Sequence, residues 1–482
     1  MNKNLVFFIL MVSASFMSAE GQSRLSEILR DHVTLLASDS LSGRGFGFPE
    51  KKLAVDYITD QFEKAGFKMP GGSYIQRFKH FEGQTLVEGM NIIGIIEGSD
   101  PVLKNEYIIL GAHYDHLGWK PVNEIKTVYN GADDNASGVA SIIEIGRIVA
   151  GKSLNTRRSI IIAAFDGEEA GLIGSSAFVK SVSTDSIKIA AMFSLDMVGM
   201  FNKNKGVEMN GFNSVRKGEE LVVAIAMNQN IPVSKSREDI EMWTDTWSFG
   251  KKNIPAFFVT TGLISPYHKP EDDSNLLDYE GMGKIVLLVS EIILEMAGNF
   301  PLEPDKRFIN RSVNPRIMTG VSMGLGAGSF TFGDRFYRGK SVLALQAGIT
   351  SKIRLTKNFL LHTALNYEMT GGNTENGRIN QHSCSPHLSL VLSSRASDLS
   401  IPVFFCFAGG YYRYNFASTG RGSDYSDLYS TSDYGINFGA GKRNLKTELS
   451  LSIKYGLKDI ARYNTNGRIF TRGADISYVR YF

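Results

Sequence analysis

At about residue 300 the apolar pattern of this chain changes period, and the change divides it into two folding problems. Upstream, apolar residues recur at helical spacing over residues 26–36 and 51–66, the second run ending on Gly66, which suits a C-cap. Short, almost continuously apolar runs follow at residues 91–96, 107–111, 159–165, 190–195 and 255–260. Strands covered on both faces read this way. Residues 281–296 read as a closing helix. Residues 24–300 are therefore expected to form an α/β domain with a mixed central sheet sandwiched by helices.

Pro301-Leu-Glu-Pro-Asp-Lys-Arg, with Pro315 beyond it, marks residues 301–316 as a linker. Beyond it, alternation with period two takes over. Leu449, Leu451, Ile453 and Tyr455 alternate with Glu448, Ser450, Ser452 and Lys454, and residues 359–368 alternate similarly. Comparable segments near 318–328, 341–355, 386–394, 400–416, 433–442 and 473–482 bring the candidate strands to eight. Short turns near 357–358, 395–397 and 443–445 alternate with long polar loops near 329–340, 370–384, 416–432 and 457–472. An even strand count with short turns at one end and long loops at the other describes an eight-stranded antiparallel barrel of the outer-membrane kind, residues 317–482. Tyr411, Tyr412, Tyr414, Tyr434, Tyr455 and Tyr478 would supply aromatic girdles. A soluble sandwich or jelly roll is the competing architecture. Arg480 breaks the pattern, because it shares the parity of Ile476, Tyr478 and Phe482. Side chains fill barrels of this size, so an anchor is expected rather than a channel.

A chain of 482 residues exceeds one comfortable core. Its net charge of +3 gives no electrostatic case for nucleic acid. Met1-Asn-Lys-Asn precedes an apolar stretch and then small residues up to Ala19, which reads as a signal peptide over residues 1–19 and hence as export. Cys384 and Cys406 are too few for a disulfide framework, and their pairing is left open. After residue 19 no apolar run is long enough for a spanning helix.

The residues that carry chemistry lie before the linker. His113 ends one apolar run, and Asp134 precedes a helix-like stretch. Glu168 and Glu169 follow residues 159–165, Asp196 follows residues 190–195, and His268 lies in Pro266-Tyr-His-Lys-Pro-Glu-Asp. Each alone has an ordinary reading as an N-cap, a loop histidine or a solvated pair. Gathered at one sheet edge, these carboxylates would repel each other unless a cation compensates. Carboxylates with two histidines suit a borderline divalent metal, zinc first, and this many ligands suit two ions sharing one carboxylate.

Five segments in order carry a family likeness. They are His113-Tyr-Asp-His-Leu-Gly, Gly131-Ala-Asp-Asp-Asn-Ala-Ser-Gly, Phe165-Asp-Gly-Glu-Glu-Ala-Gly-Leu-Ile-Gly-Ser, Ser194-Leu-Asp-Met-Val-Gly and Pro266-Tyr-His-Lys-Pro-Glu-Asp, preceded by Leu35-Leu-Ala-Ser-Asp-Ser-Leu-Ser-Gly-Arg-Gly. Over roughly residues 25–300 the chain resembles the co-catalytic di-zinc exopeptidases, which include bacterial leucyl aminopeptidases, glutamate carboxypeptidase and, more distantly, glutaminyl cyclase. The resemblance implies two Zn²⁺ ions. Asp134, rather than Asp133, would bridge them, with His113 and Asp196 on one ion and Glu169 and His268 on the other. It implies that Asp115 supports His113 from behind, and that Glu168 is the general base acting on metal-activated water. Tyr267 is a candidate for stabilising the oxyanion and equally for a packed aromatic. Two departures stand out. Lys269 follows His268 where threonine is usual, and Trp243-Thr-Asp-Thr-Trp-Ser replaces a Ser-Asp-His type of stretch at the substrate entrance.

The leading expectation is an exported zinc aminopeptidase acting on peptides, tethered to the outer membrane by its barrel, with the peptidase domain on the periplasmic side. Carboxypeptidase action or glutaminyl cyclisation on the same fold is the first alternative. A non-enzymatic barrel protein with a periplasmic binding module is the second.

Overall fold

The computed structural model describes residues 19–481 apart from 83, 183–186, 236–238, 314–315, 334–336, 357, 375–376, 394–402, 421–422, 445–446 and 463–467. The signal-peptide reading therefore falls outside the described residues except at Ala19, which opens helix Ala19–Leu36. The chain divides into two units, Met1–Val313 and Asn314–Phe482.

The first unit is built on ten strands: β1 (Ile75–Glu82), β2 (Thr85–Ile96), β3 (Glu106–His113), β4 (Trp119–Val122), β5 (Ile125–Val128), β6 (Ser159–Phe165), β7 (Lys188–Leu195), β8 (Val207–Asn210), β9 (Val233–Lys235) and β10 (Ala256–Thr260). Eight form one mixed sheet in the order β1-β2-β6-β3-β7-β10-β8-β9, while β4 and β5 pair as a separate hairpin. The central strands β6, β3, β7 and β10 run parallel, so their carboxyl ends share one edge. Every residue of β6 is buried, which explains its unbroken apolar sequence. Helices Ala19–Leu36, Gly138–Ala150 and Tyr279–Ala297 bury Leu29, Val33, Ile142, Ile285 and Ile292 within the main core. Phe257 joins that core, stacked on Phe212 with ring centroids 4.3 Å apart. The sequence pattern missed β1, an antiparallel partner of β2 whose polar residues Gln76, Arg77, Lys79 and His80 suit a sheet edge.

The stretch read as a linker, 301–316, is not uniformly extended. It contains helix Lys306–Val313, which buries Phe308, Ile309 and Val313, and Val313 stands against Gly250. Asp305 Oδ1 accepts the N–H groups of Arg307 and Phe308 and starts the helix. The prolines before it hid a one-sided apolar pattern. The division of the chain falls after Val313.

The second unit is a closed antiparallel barrel of eight long strands: β11 (Ile317–Phe332), β13 (Val342–Arg354), β14 (Phe359–Thr374), β15 (Gly377–Ser393), β16 (Val403–Gly420), β18 (Ser432–Asn444), β19 (Thr447–Gly456) and β20 (Ile469–Tyr481). Short β12 (Tyr337–Arg338) and β17 (Ser423–Asp424) extend the ends of β11 and β16. β20 pairs with β11 from Gly320↔Tyr481 to Phe332↔Ile469 and closes the ring. The segment 370–384, expected as a long loop, instead continues as paired strand, with Thr374 opposite Gly377. β11 and β16 also outrun their expected ends. Alternation fades where both faces are polar, but the hydrogen-bond ladder continues.

The barrel is inside-out relative to a soluble sandwich. Its outward residues are exposed and apolar, among them Leu325, Ile349, Leu390, Phe438, Leu451 and Ile476. Its interior is polar: Glu368 accepts Arg413 Nη2 at 2.7 Å and Lys454 Nζ at 2.8 Å and lies 2.9 Å from His387, while Arg413 also reaches Asp433 at 2.8 Å. Lys352 pairs with Glu448. Phe330, Ile379, Tyr429 and Ile460 form a small apolar cluster near the long-loop end. The lumen retains cavities of about 30 and 60 Å³, room for water only. Arg480 faces outward opposite Thr447, at the end of the wall and away from the band containing Leu451 and Ile476. Cys384 and Cys406 are free and exposed; they sit opposite Tyr414 and Leu392, well apart along the β15–β16 ladder.

Candidate metal centre

The shared edge of β6, β3, β7 and β10 determines what can meet. His113 is the last residue of β3, Asp196 follows β7, and Glu168 and Glu169 lie on the loop after β6. Asp134 precedes helix Gly138–Ala150, and His268 lies on the loop after β10, with φ +57°. His113 Nε2 stands 3.4 Å from Asp134 Oδ1 and 3.4 Å from Asp196 Oδ1. His268 Nε2 stands 3.3 Å from Asp134 Oδ2 and 3.1 Å from Glu169 Oε2. The two oxygens of Asp134 thus face two separate sets of donors.

Those spacings suit ligands rather than hydrogen-bond partners. Donors held tetrahedrally at about 2.0–2.1 Å from zinc stand about 3.3 Å apart. Asp134 Oδ2, Asp196 Oδ1 and His268 Nε2 are buried with no hydrogen-bond partner, and these are the atoms that converge. The residues present therefore fit two divalent ions bridged by Asp134. Asp133 turns elsewhere: its Oδ1 accepts Gly199 N at 2.7 Å, and burial with Asp272 nearby pushes its carboxyl up to about 8.

Electrostatics point the same way. Burial raises the Asp196 carboxyl, with Asp134 and Glu169 adding to the rise against the pull of His113. Burial would lower the His113 imidazole, but Glu168 and Asp196 outweigh it, and the pKa stands well above the ordinary value. The Asp134 and Glu169 carboxylates facing it bring His268 to about 10. In the metal-free chain, protons on histidines do part of the work a cation would do. Glu168 is half-buried; burial and the acidic groups of Asp245, Asp196 and Glu169 hold it well above the usual carboxylate range against the pull of His113.

Supporting contacts are specific. The Asp115 carbonyl lies 3.1 Å from His113 Nδ1, so that N–H points backward and Nε2 is left for a metal. The Asp115 carboxylate sits 3.7 Å from the same nitrogen and instead accepts the N–H groups of Glu168 and Glu169 at 3.0 and 3.3 Å. It braces the glutamate loop as much as the histidine. Asp272 does the same for the other loop, accepting Asp133 N at 3.1 Å and Asp134 N at 3.0 Å. Tyr267 stacks on His268 with ring centroids 3.7 Å apart, and burial keeps its hydroxyl protonated.

Sequence reasoning passed over two residues at this site. His116 Nδ1 lies 2.8 Å from Glu169 Oε1 and 3.7 Å from Asp134 Oδ2. With Asp134 and Glu169 it forms the second group of metal-type donors, the first being His113, Asp134 and Asp196. The signal was its place three residues after His113 in the same motif. Asp245, fully buried, is the other: burial and the charges of Asp115 and Asp196, against the pull of His113, push it up to about 7. It occupies the stretch where the sequence departs from the family pattern.

Residues 91–293 match Peptidase family M28. Aminopeptidase YwaD of Bacillus subtilis (strain 168) is 32% identical over 164 residues, covering 33% of this chain and 30% of that protein. A probable zinc metalloprotease of Pyrenophora teres f. teres (strain 0-1) is 30% identical over 199 residues, covering 37% and 40% respectively. A probable leucine aminopeptidase of Arthroderma otae is 27% identical over 241 residues, covering 48% and 61%. The chain thus spans less than two thirds of each of these relatives. Among solved structures, an aminopeptidase from Aneurinibacillus sp. strain AM-1 aligns with TM-score 0.47 at 18% identity, over 59% of this chain and 97% of that one.

Proposed function

With the match of residues 91–293 to Peptidase family M28 as premise, we propose that this chain is a two-zinc aminopeptidase anchored in an outer membrane by its barrel. One observation carries the reading: Asp134 divides its two oxygens between His113 with Asp196 and His268 with Glu169. In such a site bound zinc polarises the scissile carbonyl and acidifies water. This chain's own residues do the rest. Glu168 takes a proton from the attacking water and returns it to the leaving amine. Asp115 holds Glu168 and Glu169 in register through their N–H groups. The stacked Tyr267 keeps a protonated hydroxyl beside the centre, available to a developing oxyanion.

The barrel supports the location. A band of exposed Leu, Ile, Phe and Tyr around a polar, ion-paired interior is unstable in water and suited to lipid. An even-stranded barrel entered from the periplasm returns its chain there, so on this reading the peptidase would sit on the periplasmic side of an exported chain.

The decisive experiment purifies the full chain in detergent and measures zinc per chain. It then assays peptides with free and acetylated N-termini, with and without chelator. Two zinc ions, hydrolysis confined to free N-termini, loss on chelation and recovery with zinc are expected. Release of C-terminal residues, or ammonia release from N-terminal glutamine peptides, would redirect the assignment to a carboxypeptidase or a cyclase. Recovery of the chain in the soluble fraction would end the membrane assignment.

A further inference from the structure

The turn at Ser42, Gly43 and Arg44 belongs to the first family segment, and the hydrolytic reading leaves it without a task. Its φ angles are +49°, +68° and +51°, three successive residues in the left-handed region. A Cβ on Gly43 would lie 2.3 Å from Gly118 O and 2.4 Å from Tyr129 O, so only glycine lets the turn approach this closely. The turn drives Arg44 inward until 1% of it is exposed.

The partners of that buried guanidinium are backbone carbonyls. Nε donates to Tyr114 O at 2.7 Å, Nη1 to Asn130 O at 2.7 Å and to Leu36 O, and Nη2 to Gly131 O at 2.9 Å. Tyr114 lies between His113 and Asp115, and Gly131 shortly precedes Asp134. Backbone bonds from Gly118 N to Gly43 O (3.1 Å) and from His116 N to Arg44 O (3.4 Å) tie the turn to the first of these loops. Further along, Lys51 is 2% exposed and donates to Asp166 Oδ2 at 2.6 Å, which also accepts Met90 N at 2.9 Å. Asp166 begins the loop that carries Glu168 and Glu169.

We infer that residues 42–51 form a clamp in which Arg44 and Lys51 are positioning residues, holding the three loops that bear His113, Asp134 and Glu169 at the separation two metal ions require. The inference rests on the two-metal reading above. Carboxylates on separate loops repel one another and splay the loops unless something fixes the backbone. A planar guanidinium fork can fix several carbonyls at once, which an ammonium cannot. Neither residue touches a ligand side chain; each acts through the backbone or through Asp166.

The test compares the full-length wild type with Arg44→Ala, Arg44→Lys and Lys51→Met. Zinc affinity is read by competition with a chromogenic chelator, kcat and KM with an amino-acyl substrate, and folding of the first unit by tryptophan fluorescence. Arg44→Ala is expected to bind zinc about 10–100-fold more weakly, in the range seen for groups that orient ligands. Its kcat should fall more than its KM changes. Millimolar guanidinium should restore part of both, and the same concentration of methylammonium should not. Arg44→Lys should lie between Arg44→Ala and wild type, and Lys51→Met should show a smaller loss. Folded variants that bind zinc as tightly as wild type overturn the clamp. So does an Arg44→Ala chain that stays unfolded with guanidinium present while Arg44→Lys and Lys51→Met bind zinc normally. A wild-type chain that binds no zinc overturns the two-metal reading instead.

Discussion

His116 Nδ1 stands 2.8 Å from Glu169 Oε1, a charge-assisted hydrogen bond that leaves the other carboxylate oxygen turned toward His268. The distance is shorter than the separation expected of two ligands on one ion, so on the proposed two-metal reading His116 orients Glu169 and His268 takes the ligand position. His116→Ala should keep two zinc ions per chain but weaken the second about 10-fold. His268→Ala should lose that ion outright. Metal analysis after gel filtration separates the two outcomes, and equal losses would make His116 a ligand.

Glu168→Gln preserves size and removes the base. It should lower kcat by about 10²–10⁴, the usual contribution of a positioned acid–base group, while zinc content stays at the wild-type level. Unchanged turnover in this variant would return the first unit to a binding role.

Asp245 gives the metal-free chain a pH signature. Its folded pKa of about 7 lies above the unfolded value of about 3.9, so the folded state holds a proton that the unfolded state has lost between those limits. Stability should therefore fall as pH rises from about 4 to 7. In Asp245→Asn this contribution disappears. The variant should melt higher than its parent above pH 7 and converge with it below about pH 4. Trp119, Trp243 and Trp247 all lie in the first unit, so their fluorescence reports it on chelator-treated protein. Parallel melting curves at every pH would contradict this.

Much of this site was legible in sequence because β6, β3 and β7 are almost continuously apolar and each ends at or just before an ionisable residue. His113, Asp196 and Glu169 inherit their meeting place from strand ends. His116 was missed although it stands three residues after His113, because a histidine in a loop usually faces solvent; here a bridge between Gly45 and His116 ties that loop down. Helix Lys306–Val313 was hidden by flanking prolines and charge. The barrel strands were found by alternation, which marks only the part of each wall with one apolar face. β14 and β15 therefore looked shorter than their ladder, whose last rungs run through Gly371, Gly372, Asn373 and Thr374.

Inside the barrel, Glu368 is the single anion shared by Arg413, Lys454 and His387. Glu368→Leu strands buried cations and should cost about 3–5 kcal/mol. Its heat-modifiable gel shift should occur at a clearly lower temperature than that of the parent. An unchanged transition would show that the interior is wetter than its packing indicates.

On the outer wall, Leu451 is well exposed and paired with Ala440 and Ile476. Leu451→Arg should destabilise insertion by about 2–4 kcal/mol if this band meets the bilayer midplane. Inward-facing Ser452→Thr should be tolerated. Folding yield into vesicles measures both, and equal yields would argue against a lipid-facing wall.

The ring closes where β20 meets β11, the last of the long strands against the first. No order of synthesis can complete that seam early. Until β20 has emerged, β11 and β19 each keep an unpaired row of peptide groups that hydrocarbon cannot satisfy. On the proposed membrane reading the wall therefore enters lipid only as a closed ring, with β20 already laid against β11.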